Sequence, residues 1–185
     1  MLSRPVNNEY TLQDQFLTRF FSSSLAPAFY LTGGTALARF YFHHRESLDL
    51  DLFTNEQEQD FDSVNRTILS ILADMDLRIS SQVATGTFLQ YIVKNVAGVP
   101  LKIDVVKDVP IHFGAFQMEH LVRLDSLENI GSNKVLAVFG RTDAKDFIDL
   151  YWILHHTPLT FDHLFQCAKQ KDLGLSELYL AYALE

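Results

Sequence analysis

Between Leu48 and Phe53 the chain reads LDLDLF, so that Asp49 and Asp51 alternate with apolar residues. In an extended strand successive side chains point to opposite faces, which puts both aspartates on one face and the leucines on the other. Asp is disfavoured in strands, and two carboxylates about 4 Å apart repel by ~4 kcal/mol at an effective dielectric near 20. A half-exposed edge strand with solvated aspartates is one setting for such a pair. A bound divalent cation that cancels the repulsion is the other. Just upstream, FYLTGGTALARFYFHHRES spans residues 29–47. Its start reads as a short buried strand over 28–32, and residues 35–43 as a helix. Gly33-Gly34 between them suits a tight turn whose backbone NH groups can approach a phosphate.

The order strand, Gly-Gly-Thr, helix, Asp-x-Asp strand resembles the first two motifs of the AbiEii/AbiGii toxin family, relatives of the polymerase-beta-like nucleotidyltransferases. A second block, NKVLAVFGRTDAKDFIDLYWIL over 133–154, resembles the later family pattern of a lysine-bearing helix, an arginine and a Lys/Arg-Asp-x-x-Asp-Leu-Tyr helix. The resemblance implies an α+β nucleotidyltransferase fold, a small mixed sheet flanked by helices over 1–125, with a helical region over 126–185 packed on that core. It implies that Asp49, Asp51 and Asp104 hold Mg²⁺ or Mn²⁺, that Gly33, Gly34 and Thr35 seat phosphates, and that Lys134 offsets charge on the leaving group. Ser47 lies in the approach to the aspartates, Arg141 and Lys145 near phosphate or acceptor, and Asp146 at the nucleotide site. The activity implied is metal-dependent transfer of a nucleoside monophosphate from an NTP to a hydroxyl, by the toxin of a bacterial toxin-antitoxin or abortive-infection system. RNA, especially the tRNA end, is the implied acceptor and a cognate antitoxin the implied protein partner. Two rivals stand beside this reading: a small-molecule nucleotidyltransferase of the antibiotic-modifying type, and a non-catalytic nucleotide-binding module.

The rest of the chain is read from periodicity. Leu12, Phe16, Leu17, Phe20 and Phe21 share a helical face over 11–24, and Phe61, Val64, Ile68, Leu69, Ile71 and Leu72 predict a helix within 55–76. Residues 77–83, 87–94 and 101–106 read as three antiparallel strands with turns at Thr85-Gly86 and Ala97-Gly98. In the third, Asp104 shares its face with Lys102 and Val106 and with no other acid, so pairing with Lys102 or Lys107 is its alternative to a metal role. Residues 107–122 look irregular and end in a short strand. Helices follow to about Phe139, over 143–155, over 160–170 and over 176–184. Lys145 and Asp149 at i, i+4 make local ion pairing the alternative to a site role. Tyr151 to Leu154 reads as core.

The net charge of −8 weighs against a large nucleic-acid footprint, which ordinarily needs a basic surface. A nucleotide held through metal ions is not so constrained. The single cysteine, Cys167, rules out an internal disulfide and reads as a small buried apolar residue suited to a reducing cytoplasm. No apolar run approaches the ~20 residues of a membrane span, so a cytoplasmic protein is expected.

Overall fold

The computed structural model describes residues 8–141 and 143–175; the helix expected over 176–184 lies outside them. The chain opens with α1 (Asn8–Phe21), then β1 (Tyr30–Thr32), a single helical turn α2 (Gly33–Thr35) and a π-helix over Ala36–Tyr41. Next come β2 (Asp49–Thr54) and α3 (Phe61–Asp74), then β3 (Arg78–Ala84), β4 (Phe88–Lys94) and β5 (Pro100–Lys107). Two short strands, β6 (Gln117–Glu119) and β7 (Val122–Leu124), lead to α4 (Leu127–Arg141), α5 (Ala144–His156) and α6 (Phe161–Lys171).

The seven strands form one mixed sheet in the order β3-β4-β5-β2-β1-β7-β6. The β2/β5 and β1/β7 pairs are parallel and the others antiparallel. Alternation works as the sequence implies: Leu50 and Leu52 of β2 and Leu101, Ile103 and Val105 of β5 are buried, while Asp49, Asp51, Lys102 and Asp104 face the other way. The apolar face is covered by α1, through Phe16, Leu17 and Phe20, and by α3, through Val64, Ile68 and Leu72. Each fully buried leucine contributes roughly 1.5–3 kcal/mol. The apolar cluster extends through Ile130, Val135 and Val138 of α4 to Leu164 and Phe165 of α6.

Side-chain caps start the later helices: Asp60 accepts from the Asp62 NH, Asp143 from Lys145 and Thr160 from His163. The helix expected over 55–76 therefore begins only at Phe61, because Asp60 is its cap. Arg141 belongs to α4 rather than to a break after Phe139. Tyr151 is a correction: it is exposed and stacks on His155 outside the core, since it points away from the Leu150–Ile153 face of α5.

Candidate active site

Strand pairing brings the acids together. In the β2/β5 register Asp51 sits opposite Asp104 and Asp49 opposite Lys102, so three carboxylates and one ammonium occupy a small patch of the polar face. Gln90 of β4 donates from Nε2 to Asp104 Oδ1 at 2.9 Å, which fixes that carboxylate. Lys102 Nζ lies 2.8 Å from Asp104 Oδ2 and 3.6 Å from Asp49 Oδ2. Burial, and then the neighbouring Asp104, push the Asp51 carboxyl up to about 6, with Lys102 and Lys134 opposing. Burial works against the Lys102 ammonium, yet its hydrogen bond to Asp104 and the fields of the three acids hold its pKa above the ordinary value.

The diglycine bend lies directly against this patch. Gly33 has φ +67°, and a Cβ there would collide with the Asp51 carboxylate; one on Gly34 would collide with the Arg45 guanidinium and crowd Ser47 Oγ. Gly33 is favoured by its left-handed backbone, and a side chain at either glycine would push aside the carboxylate or guanidinium packed against it. Thr35 is fully buried, and its hydroxyl bonds the Asp49 carbonyl and Ser47 Oγ. That ties the turn to the start of β2. On the far side of β1, the buried Asp125 accepts from Thr32 Oγ1 at 2.5 Å and from Asn129 Nδ2 at 2.9 Å, and His112 Nε2 lies 2.8 Å from its other oxygen. This network places the start of α4 beside the bend.

Helices α4 and α5 supply the opposite wall. Lys134 Nζ is buried between Asp146 Oδ1 at 2.7 Å and Asp149 Oδ2 at 2.6 Å. Arg141 donates through Nε to Asp146 Oδ2 at 2.7 Å, and Arg45 grips Asp149 with Nε and Nη2, each at 2.7 Å. Burial raises both carboxyls, but Arg141 and Lys134 hold Asp146, and Arg45 and Lys134 hold Asp149, below the ordinary range. Three cations share these two carboxylates, and Glu46 adds an acid to the lining beside Arg45. Lys145 pairs with Asp143 at 3.5 Å rather than with Asp149.

A cavity of about 580 Å³ lies between the two walls, within the usual size of a small-molecule site. Nine of the eleven residues expected from the sequence line it: Gly33, Gly34, Ser47, Asp49, Asp51, Asp104, Lys134, Arg141 and Lys145. Thr35 and Asp146 do not; they stand behind it and orient groups that do. Lys134 is not a solvated point charge but a buried cation held by two acids. Lys102 is a lining residue that the strand pattern placed beside Asp104 without giving it a role in the site. Arg45, also in the lining, reaches Asp149 across 104 positions of sequence, a pairing no local spacing announces.

Outside the lining, Glu128, His163 and Cys167 bring three donor atoms within 4.8 Å of one another. Glu128 and His163 already satisfy each other at 2.6 Å, and burial, with Glu128, pushes the Cys167 thiol up. As a metal donor set it is poorer than the three sheet carboxylates, whose hard oxygens suit Mg²⁺ or Mn²⁺.

The fold is shared with solved structures of low sequence identity. JHP933 from Helicobacter pylori matches with a TM-score of 0.62 and 20% identity, over 96% of this chain and 86% of that one. The nucleotidyltransferase toxin MenT4 of Mycobacterium tuberculosis matches with a TM-score of 0.63 and 15% identity, over 90% of this chain and 64% of that one. Megavirus polyadenylate synthase matches with a TM-score of 0.57 and 11% identity, over 83% of this chain and 32% of that one. The fold is that of nucleotidyltransferases. More narrowly, the chain belongs to the family described as nucleotidyl transferase AbiEii toxin, type IV toxin-antitoxin system, whose model matches residues 15–173. A search of curated proteins gives no match. Membership supports transfer of a nucleoside monophosphate by a toxin, with a nucleotide substrate and an antitoxin counterpart. No helix among the described residues is long and apolar enough to cross a membrane.

Proposed function

We propose that the chain is a cytoplasmic toxin that transfers a nucleoside monophosphate from an NTP to a hydroxyl of RNA, the tRNA end being the preferred acceptor, in a reaction that depends on Mg²⁺ or Mn²⁺. The observation that carries this reading is the convergence of Asp49, Asp51 and Asp104 beside the Gly33-Gly34 bend, in a cavity whose other wall carries Lys134, Arg141 and Lys145. The donor set fits the ion: three carboxylates on adjacent strands, with Asp51 disfavoured as a bare anion, gain from a divalent charge that water does not supply. Bound metal would lower the pKa of the attacking hydroxyl and neutralise charge on the leaving pyrophosphate.

The chain's own residues do the positioning. Gly33 and Gly34 line the cavity, where their backbone would meet the phosphates. Arg141 and Lys145 present positive charge at the rim, where the leaving group gains negative charge. Lys134 holds Asp146 and Asp149 in place and adds its field to the cavity. Holding both substrates in line can remove about 7–11 kcal/mol of barrier.

The test is to offer each of four alpha-labelled NTPs with total tRNA, and separately with small hydroxylated compounds, to wild type and Asp51→Ala. Label on tRNA that Asp51→Ala abolishes is the expected result. Label only on small compounds would replace the acceptor, and label transfer undiminished in Asp51→Ala would remove Asp51 from the chemistry.

A further inference from the structure

The carboxylate patch already contains a cation. Lys102 rises from the middle of β5, its backbone fixed by β2 on one side and β4 on the other. Its ammonium donates to Asp104 Oδ2 at 2.8 Å and lies 3.6 Å from Asp49 Oδ2. Asp104 Oδ1 accepts from Gln90, and its other oxygen, Oδ2, is the one Lys102 holds. The side chain is one-third exposed and lines the cavity, which gives its flexible stem room to swing while the strand stays put.

We infer that Lys102 is a resident counter-cation of the carboxylate patch, which a divalent ion must displace and whose freed ammonium is taken up by the nucleotide's phosphates. The inference rests on the metal reading proposed above. An ammonium and a divalent ion on one carboxylate oxygen repel, so metal alone binds against Lys102. A triphosphate in the cavity offers the displaced ammonium a new anionic partner and removes that penalty. Metal and nucleotide therefore bind cooperatively, each raising the affinity of the other by the same factor. The site is kept from filling with metal in the absence of nucleotide, and Lys102 becomes a phosphate contact when both are bound.

The experiment measures Mn²⁺ affinity at pH 8 by electron paramagnetic resonance of free ion, and binding of the Mn²⁺ complexes of the four α,β-methylene NTP analogues by calorimetry. Wild type, Lys102→Gln, Lys102→Arg and Asp51→Asn are compared. Lys102→Gln should bind nucleotide-free Mn²⁺ about tenfold more tightly than wild type and the Mn²⁺–analogue complex about tenfold more weakly. Lys102→Arg should stay within threefold of wild type on both. Lys102→Met, uncharged and of similar length, repeats the test should Gln disturb folding. If removing the charge leaves nucleotide-free Mn²⁺ affinity unchanged or weakens it, while Asp51→Asn abolishes Mn²⁺ binding, Lys102 is only a strut and the functional reading stands. If wild type binds Mn²⁺ neither alone nor with an analogue, the metal reading fails and takes this role with it.

Discussion

At Asp51, the carboxyl pKa rises from 3.8 to about 6 on folding, because burial and Asp104 disfavour its charge. Between these values the native state binds the proton that the unfolded chain releases, so Asp51 makes metal-free stability fall as pH rises through the window from about 4 to 6. Asp51→Asn should therefore stabilise the metal-free protein by about 3 kcal/mol at pH 8, with most of the difference gone at pH 4. Urea denaturation in EDTA at both pH values checks this. The same substitution should lower label transfer at least about a hundredfold, separating a stabilised fold from a lost reaction. Gly33 is the second constrained position. Gly33→Ala must hold a left-handed backbone, costing about 1–2 kcal/mol, and also displaces Asp51, so thermal melting and label transfer should both fall. A variant that loses neither would show that the bend and Asp51 are not in contact.

At the scale of elements, the joint between α4 and α5 is electrostatic where it faces the cavity. Lys134→Met leaves Asp146 buried with Arg141, and Asp149 buried with Arg45 and His44, and breaking a buried pair of this kind typically costs about 3–5 kcal/mol. Equilibrium unfolding should show that loss, whereas Lys145→Ala, which removes an exposed pair with Asp143, should change stability by less than about 0.5 kcal/mol. Equal effects would mean that Lys134 is no more embedded than Lys145.

Strand assignments were legible where side chains alternate: β2 and β5 announce themselves through Leu50, Leu52, Leu101, Ile103 and Val105, and α1 and α3 through apolar faces at helical spacing. Which strands become neighbours was not legible. β5 lies beside β2 only because the β3-β4-β5 meander folds back in parallel, and spacing along the chain carries no record of that. The resemblance supplied the missing neighbour for Asp104, and the register supplied Lys102. The π-helix after Gly33-Gly34-Thr35 has no signature in composition, and β7 is three residues long, too short for alternation to declare itself. Asp149 looked like the i+4 partner of Lys145, but burial turned it toward Arg45, His44 and Lys134 instead.

Over the whole molecule, the net charge of −8 has to coexist with an anionic substrate. The cavity meets this locally: Lys102 sits within the carboxylate patch, and Arg141 and Lys145 stand on the opposite wall. A tRNA that meets only those two cations releases few counterions, so log affinity against log salt should have a slope of about −1 to −2. Fluorescence anisotropy of labelled tRNA across a potassium chloride series measures it. A slope steeper than about −5 would point to an extended basic track and a different acceptor surface.

The most direct measurement is a crystal structure with Mn²⁺ and an α,β-methylene NTP, recorded at a wavelength where manganese scatters anomalously. The account predicts anomalous density about 2.1–2.3 Å from the carboxylate oxygens of Asp51 and Asp104, with the triphosphate against Gly33-Gly34. Density confined to Glu128, His163 and Cys167, or a nucleotide seated away from the bend, would contradict it.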